Sequence, residues 1–300
     1  MSTPSAAAGD VLRVATRGSR QATGQAGAVA RAITAATGRP TELVLVETTG
    51  DLRLDVPLHT LGGQGIFVKE VQRAVLDGRA DVAVHSAKDM QSAPTDGLSL
   101  GAFCARRDPR DALIGATLDD LPTGATVATG SVRLRAQLAA VRPDLEFAEL
   151  RGNIDARLAK IPADGAIVMA VAALEILDLT DRVAEYLDVD RFIPAVGQGC
   201  VAVECQSDDA ATAAALAAVD DPVTRHAVVV ERAFLAELGS GCSLPVGAHV
   251  RDRELLAFLA DPDSGAIARE TAQLEGPSGD LVRDSATARD VARAMREALG

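Results

Sequence analysis

Short apolar runs alternate with longer amphipathic stretches through the first two-thirds of the chain. Consecutive apolar residues predict buried strands, whereas apolar residues at intervals of three and four predict helices. The predicted strands lie at 11–16, 41–48, 80–86, 125–129, 146–150, 166–171 and 199–205. Helices are predicted between them, including 21–37 and 67–78, and in the latter Phe67, Val71 and Val75 share one face. This alternation predicts an α/β fold with largely parallel sheets that are covered by helices on both faces.

The pattern changes after Pro222. A helical stretch, a glycine-rich turn, several short strand-like runs and a last helix from about Ala286 are typical of an α+β unit. We therefore predict two similar α/β lobes and a smaller third domain. The predicted bounds are 10–104 with 200–221 for the first lobe, 105–199 for the second lobe and 222–300 for the third domain.

Composition and charge restrict the partners of the chain. Its 300 residues are 48% hydrophobic, as in an ordinary globular core, but only 2% aromatic, which is poor for stacking on bases. The formal net charge of −12 disfavours nucleic acid and anionic membranes. The sequence shows no signal peptide, and its longest apolar run, 166–174, is too short to span a bilayer. The 4 cysteines form no Cys-x-x-Cys pair, so we expect no metal, free thiols and a cytoplasmic location.

Three turns that follow predicted strands combine arginine with small polar residues. They contain Arg17 and Ser19, then Ser131 and Arg133, then Arg151, Asn153 and Arg157. Helix N-termini at the carboxyl ends of parallel strands bind anions, and arginine adds donors suited to carboxylates. Each polar residue taken alone is better explained as a helix N-cap. The three turns together predict a cleft for a small molecule with several carboxylates.

Lys88 and Asp89 directly follow the strand-like run "ADVAVHS". A carboxylate at the mouth of a cleft can stabilise a developing cation or move a proton. The neighbouring ammonium group could hold a carboxylate of the substrate. A surface ion pair, which contributes little, is the plainer alternative for two adjacent opposite charges.

Cys242 lies among small residues in "GSGCSLPVGA", between a predicted helix and a predicted strand. An accessible thiol in a loop suits nucleophilic or attachment chemistry. A buried and inert thiol is about equally compatible with the residue type alone. Cys104, Cys200 and Cys205 lie in apolar runs, which favour burial.

In "PAVGQGCVAVEC", two glycines flank Gln198. This spacing indicates a tight crossing between the lobes, which is a plausible position for a hinge. The chain has neither a GxGxxG motif in this stretch nor a Walker motif anywhere, so nucleotide binding has no support.

Ordered motifs along the chain resemble the porphobilinogen deaminase (hydroxymethylbilane synthase) family. They are "GGQGIFVKEVQRAVLDGRADVAVHSAKDM", "RRDPRDALI", "RGNIDARL", "PAVGQGCVAVEC" and "ERAFLAELGSGCSLPVGA". The resemblance implies two lobes like those of type II periplasmic binding proteins, with parallel-rich sheets, and a smaller α+β domain. It also implies a transferase of porphyrin biosynthesis that joins four porphobilinogens head to tail on a cysteine-bound dipyrromethane, with loss of ammonia. We expect a cytoplasmic monomer that acts on porphobilinogen.

The resemblance implies roles for individual residues. Asp89 would be the catalytic carboxylate, assisted by Lys88, and Cys242 would carry the dipyrromethane cofactor. Further cofactor contacts are implied for Ser131, Arg133 and Lys88. Substrate contacts are implied for Arg17, Ser19, Phe67, Arg151, Arg157 and Gln198.

Some positions depart from the family pattern. Leu134 and Ile176 stand where the family usually has arginines that face the substrate, and Gln64 replaces a frequent lysine. Charge-assisted hydrogen bonds contribute on the order of 1.5–3 kcal/mol each. These losses keep open a second hypothesis, a paralogue that acts on porphobilinogen but gives a shorter or different pyrrole product. A third, a two-lobed binding protein without chemistry, is disfavoured because a binder needs neither Asp89 nor Cys242.

Overall fold

A computed structural model of the protein describes residues 11–48, 65, 67–239 and 244–300. Within these ranges the strands are β1 (Leu12–Arg17), β2 (Thr41–Val46), β3 (Val82–Ser86), β4 (Leu98–Phe103), β5 (Asp111–Ile114), β6 (Thr126–Ala128), β7 (Glu146–Ala148), β8 (Ala166–Ala170), β9 (Glu185–Tyr186), β10 (Val201–Gln206), β11 (Val246–Arg251), β12 (Glu254–Ala260) and β13 (Ile267–Gln273). The α-helices are α1 (Arg20–Thr37), α2 (Lys69–Leu76), α3 (Val132–Val141), α4 (Ile154–Leu158), α5 (Val171–Ile176), α6 (Ala210–Ala217), α7 (Pro222–Glu237) and α8 (Leu281–Leu299). None of these helices has the length and apolarity needed to cross a bilayer.

The first sheet has the strand order β2-β1-β3-β10-β4. Strands β1, β2 and β3 are parallel, whereas β10 runs antiparallel to both β3 and β4. Helix α1 packs on one face through residues such as Val29 and Ile33, and α2 packs on the other through Val71 and Val75. Because both faces are covered, β1 and β3 are buried along nearly their whole length, including polar residues such as Thr16 and His85.

The second sheet repeats this topology with the order β7-β6-β8-β5-β9. Strands β6, β7 and β8 are parallel, and β5 is antiparallel to its neighbours β8 and β9. The fourth position of each sheet is filled by a strand that follows a crossing from the other sheet. The first crossing, residues 104–110, leads from β4 to β5, and the second crossing, residues 187–200, leads from β9 to β10. The prediction of an α/β fold with two similar, parallel-rich lobes is therefore confirmed.

The third sheet, β11-β12-β13, is antiparallel and is covered by α7 and α8. Helix α8 begins at Leu281, ahead of the predicted start at Ala286, so this predicted boundary was wrong. The Asp280 side chain caps the helix by accepting a hydrogen bond of 2.8 Å from the backbone N–H of Val282. The first turn combines Val282, which is 77% exposed, with the buried polar residue Asp284, so apolar periodicity did not indicate it.

Candidate active site

The two lobes contact each other at the carboxyl ends of their parallel strands. Arg20, at the start of α1, forms an ion pair of 2.8 Å with Asp155 in α4. Helices α1 and α5 also approach closely, since a Cβ atom added to Gly24 would lie 2.7 Å from Cγ2 of Ile176. The edge at which open α/β sheets bind ligands is therefore shared by both lobes.

The Lys-Asp pair lies in a 3₁₀ turn, Ala87–Asp89, directly after β3. The backbone N–H of Ala87 donates to the carbonyl of Cys200, 2.9 Å away, so the second crossing fixes the start of the turn. Gly197 has a φ of +71°, and a Cβ atom there would lie 2.9 Å from the Cβ of Ala87. The predicted tight crossing is confirmed, and it requires glycine because the crossing packs directly against the Lys-Asp turn.

Lys88 is oriented by Gln198, which is 1% exposed. The ammonium group donates to Oε1 of Gln198 at 3.1 Å, and the amide of Gln198 donates to the carbonyl of Pro109 at 2.8 Å. Burial lowers the pKa of Lys88, while the neighbouring charges of Asp89 and Asp111 raise it. Gln198, in the second crossing, thus bonds both to Pro109 in the first crossing and to Lys88 of the first lobe.

Charges from both lobes act on Arg157. Burial lowers the pKa of Arg157, and the positive charges of Arg151 and Arg17 lower it further, whereas the negative charge of Asp89 raises it. These interactions place Arg17, from the first lobe, close to two arginines of the second. The guanidinium of Arg17 also lies 4.0 Å from the ring centroid of Phe67, a cation–π contact. Helix α2 begins only after Phe67, so the prediction that Phe67 lies on a helix face was wrong: the ring packs on Arg17 instead.

The small polar residues of the three turns cap helices. In each case a side-chain oxygen accepts a hydrogen bond from the backbone N–H three residues later. The capping residues are Ser19 for α1, Ser131 for α3 and Asn153 for α4, at 3.2, 3.3 and 2.9 Å respectively. This arrangement leaves the contacts of Ser19 with substrate and of Ser131 with cofactor as predictions.

Arg133 is 4% exposed and is engaged inside the second lobe. Its guanidinium donates to Asp111 at 2.8 Å and to the carbonyl of Ile193 at 2.7 Å. Its Nε is buried and has no hydrogen-bond partner among the described residues. The positive charge of Arg133 also lowers the pKa of Lys88, so the two side chains are close. Arg133 is therefore adjacent to the cleft, with one buried N–H that still needs an acceptor.

Leu134 does not face the cleft. It is 4% exposed and packs in the core of the second lobe with Leu113 and Leu138. The side chain at this position points into the core, so it contributes nothing to the charge of the cleft in this chain. Ile176 instead takes part in the contact between the lobes, against Gly24.

Sequence reasoning missed Arg135 and Glu149 at the edge of the cleft. Nη2 of Arg135 donates to Glu149 at 2.8 Å and to the carbonyl of Thr129 at 3.1 Å, at the carboxyl ends of β7 and β6. The charge of Glu149 also raises the pKa of Arg157. Glu149 therefore lies between Arg135 and Arg157. The stretch "VRLRAQ" contains a second arginine, which was the available signal.

A buried carboxylate joins the crossings to the third sheet. Glu231 in α7 accepts two hydrogen bonds of 2.7 Å from Arg106 and single bonds of 2.8 Å from the backbone N–H groups of Gly197 and Val250. Burial alone raises the pKa of Glu231, but the charges of Arg106 and His249 lower it to about 2. This carboxylate fixes the crossing that supports the Lys-Asp turn.

The arrangement can bind a polyanion and stabilise a cation at one point within it. Guanidinium and ammonium groups suit carboxylates, and a carboxylate among them suits a group that becomes positive during a reaction. Within the described residues no cluster of three His, Cys, Asp or Glu side chains could hold a metal ion. Cys242 and Gln64 lie outside the described residues.

Two family models match most of the chain. "Porphobilinogen deaminase, dipyromethane cofactor binding domain" matches residues 12–214, and "Porphobilinogen deaminase, C-terminal domain" matches residues 226–299. The porphobilinogen deaminase of Acidothermus cellulolyticus is 47% identical over 276 residues, which cover 88% of this chain and 83% of that protein. That of Syntrophotalea carbinolica is 43% identical over 87% of this chain and 86% of its own length. Among solved structures, a TRAP periplasmic solute binding protein from Desulfovibrio salexigens has a TM-score of 0.42 and 13% identity, with 71% of this chain and 73% of that chain covered.

Proposed function

The chain belongs to the porphobilinogen deaminase family, and we propose that the cleft at Asp89 is its catalytic site. The protein is a transferase, hydroxymethylbilane synthase, that condenses four porphobilinogens head to tail with loss of ammonia. In each condensation a C–N bond of an aminomethyl group breaks, ammonia leaves, and a C–C bond forms to the next pyrrole with loss of a proton from its carbon. Addition of water finally releases the linear tetrapyrrole.

The observation that carries the proposal is the charge interaction of Asp89 with Arg157, on which the charges of Arg17 and Arg151 also act. As ammonia leaves, the pyrrole unit becomes cationic, and a carboxylate held beside it stabilises that charge. We assign this role to Asp89. Lys88 assists, because Gln198 holds its ammonium group where it can neutralise a substrate carboxylate.

The arginines bind the acidic side chains of the substrate and of the growing product. Each pyrrole unit carries an acetate and a propionate, so every addition brings two further carboxylates into the cleft. Arg17 receives them from the first lobe, with Phe67 packed against its guanidinium, and Arg151 and Arg157 receive them from the second. The N-cap residue Ser19 assists at the start of α1.

The dipyrromethane cofactor fits the residues that line this region. When bound, it supplies the pyrrole carbon on which the product begins, and we assign its attachment to Cys242. The partnerless Nε of Arg133 requires an acceptor, and the ammonium of Lys88 lies close to Arg133. We assign carboxylates of the cofactor to these two cations, with Ser131 at the start of α3 beside them.

At the level of the whole chain, we propose the three units 10–104 with 200–221, 105–199 and 222–300. The three separate sheets and the two crossings support this division. We also propose that the enzyme is a cytoplasmic monomer, in keeping with its cysteine usage and net charge of −12.

The test measures porphobilinogen consumption, ammonia release and the size of the released pyrrole. We expect one ammonia for each porphobilinogen consumed and a linear tetrapyrrole as product. Asp89→Asn should abolish turnover, whereas Asp155→Asn, which changes an exposed carboxylate at the lobe contact, should retain it. Full turnover by Asp89→Asn would refute the assigned role. Release of a shorter pyrrole would favour the paralogue hypothesis, which no feature of the described site supports.

A further inference from the structure

A second cavity lies outside the cleft, between the first sheet, α2, α7 and the loop that follows Asp89. Its volume is about 240 Å³. Its apolar wall consists of Met90, Pro94, Leu98 and Leu100. Ala93 and Pro94 are exposed, so the cavity opens to solvent at this loop. The cavity is large enough for a small organic molecule, and the catalytic mechanism leaves it unused.

One wall of the cavity holds a buried carboxylate, Glu204, which is 3% exposed. Its Oε2 accepts a hydrogen bond of 2.8 Å from Gln72 and lies 3.1 Å from Nε2 of His85. Oε1 makes no hydrogen bond within the described part of the chain. One oxygen of a buried carboxylate is therefore open to a donor from the cavity.

The guanidinium of Arg232 also lines this cavity. Its Nη2 donates to the carbonyls of Gln91 and Ser92, at 2.6 and 3.2 Å. Nε and Nη1 bond to no acceptor in the described ranges. Burial lowers the pKa of Arg232 and the charge of Glu204 raises it, so the two groups are close, although no ion pair joins them. Two opposite charges thus share one cavity without direct contact.

We propose that this cavity binds a small zwitterion, such as an amino acid with an aliphatic side chain. Its ammonium group would bond to Glu204 and its carboxylate to Arg232, because a largely buried charge is stable only with a counterpart. The aliphatic part would pack against Met90, Leu98 and Leu100. The site is separate from the cleft, so it does not depend on the proposed roles of the cleft residues. The same chemistry occurs in α-amino acids and in ω-amino acids.

The test is isothermal titration calorimetry of the full-length holoenzyme with four probes. L-leucine and 5-aminopentanoate carry both charges, whereas 3-methylbutylamine carries only the ammonium and 4-methylpentanoate only the carboxylate. We expect one saturable site for at least one zwitterion, bound about tenfold or more tightly than either singly charged probe. The tighter of the two zwitterions identifies the class of amino acid. The absence of saturable binding, or equal binding of a singly charged probe, would overturn the proposal.

Three variants locate the site. Glu204→Gln should weaken binding of the zwitterion at least about tenfold. Ala93→Trp, at an exposed position, should block the opening without disturbing the core, and should remove the binding. Arg157→Gln changes the cationic cleft and should leave the binding unchanged. Binding that survives Ala93→Trp, or that Arg157→Gln removes, would assign the ligand to the cleft and overturn the proposal.

Discussion

Single side chains determine where charge is available in the cleft. Position 134 is a core position in this chain, since Leu134 is 4% exposed beside Leu113 and Leu138. Leu134→Arg would bury a charge with no partner, so we expect the free energy of unfolding to fall by about 3 kcal/mol or more, measured by urea titration. Ile176→Arg is the matched control: Ile176 is only half-buried, so the loss should be clearly smaller. Equal stability of Leu134→Arg and wild type would show that the side chain at 134 can reach solvent.

Arg135, the residue after Leu134, supplies a cation at the edge of the cleft. Its ion pair with Glu149 places a guanidinium near Arg157, at the ends of β6 and β7. If it binds a product carboxylate, Arg135→Gln should raise KM for porphobilinogen roughly tenfold, with little change in kcat. Arg142→Gln is the control, because Arg142 pairs with Asp144 at the other end of α3. An unchanged KM in Arg135→Gln would confine the Arg135–Glu149 pair to a structural role.

The chemistry of the site was more predictable than its geometry. Arg17 ends β1, Asp89 lies in the turn after β3, and Arg157 lies in the short helix that follows β7, so the strand pattern alone indicates that they share an edge. The Arg135–Glu149 pair was missed because its partners are 14 residues apart and meet only through the pairing of β6 with β7. The direction of a side chain around a short helix start, as at Leu134, also depends on packing that periodicity does not specify.

Helix α7 connects the third sheet to both sides of the Lys-Asp turn. Its Glu231 holds Gly197, in the crossing that supports the turn, and its Arg232 holds the carbonyls of Gln91 and Ser92, just after Asp89. The helix ends at Glu237, shortly before the segment that contains Cys242. One helix therefore links the cysteine-bearing segment to the Lys-Asp turn.

The pKa of Glu231 makes this link sensitive to acid. Its folded pKa of about 2 lies below the ordinary value of 4.5, so its contribution to stability is present above pH 4.5 and is lost as pH falls toward 2. Between pH 5 and pH 3 the lost contribution is about 2 kcal/mol, from about 1.4 kcal/mol per pH unit. Urea titrations give the free energies of unfolding of wild type and Glu231→Gln. We expect the difference between these two free energies to be about 2 kcal/mol smaller at pH 3 than at pH 5. A constant difference between the two proteins would mean that Glu231 titrates normally.

The contact between α1 and α5 can be tested by a double substitution. Alanine favours a helix over glycine by about 1 kcal/mol, but at Gly24 its Cβ would lie 2.7 Å from Cγ2 of Ile176. We therefore expect Gly24→Ala to destabilise the wild type and to stabilise the Ile176→Ala background, measured by thermal unfolding. Gly27→Ala is the control on the same helix: its nearest neighbour is the flexible end of Arg31, so it should stabilise both backgrounds. The same sign for Gly24→Ala in both backgrounds would disprove a tight contact.

Apolar periodicity predicts most of the strands and helices, but it does not predict whether neighbouring strands run parallel or antiparallel. The parallel direction of β1, β2 and β3 follows from the alternation with helices, since β2 and β3 are each reached through a crossover. Strands β5 and β10 are antiparallel because each enters its sheet from the other lobe, which no local pattern records. Likewise, the first turn of α8 is held by the Asp280 cap and contains the buried polar residue Asp284, which apolar periodicity does not record.

At the scale of the whole molecule, the two α/β lobes repeat one topology and are joined by two adjacent crossings. The crossings hydrogen-bond to each other, with the N–H of Arg107 donating to the carbonyl of Gly199 at 2.9 Å. A Cβ atom at Gly199 would lie 2.6 Å from the carbonyl oxygen of Arg107, so the two segments cross in direct contact. One crossing contains Gln198, which bonds to Lys88, and Gly197, which bonds to Glu231, so the segment that connects the lobes also supports the Lys-Asp turn.

The distribution of thiols over the whole chain leads to the last prediction. Burial raises the pKa of all three cysteines in the described residues, to about 11 for Cys104 and in the same direction for Cys200 and Cys205. A thiol with a raised pKa is a poor nucleophile at neutral pH, so only Cys242 remains as an attachment point.

The mass of the purified enzyme should therefore exceed the sequence mass by two linked pyrrole units. Cys242→Ser should remove that excess together with the activity, because the other thiols are too buried to replace it. Cys205→Ser is the matched control, and it should keep both the excess mass and the turnover, since Cys205 lies in the core of the first lobe, where its Sγ is 3.7 Å from the hydroxyl of Ser99. Iodoacetamide should label Cys242 in protein produced without porphobilinogen and leave it unlabelled in the holoenzyme, because a thioether has no free thiol. A fully active wild type with an unmodified mass would show that synthesis begins without a covalent cofactor.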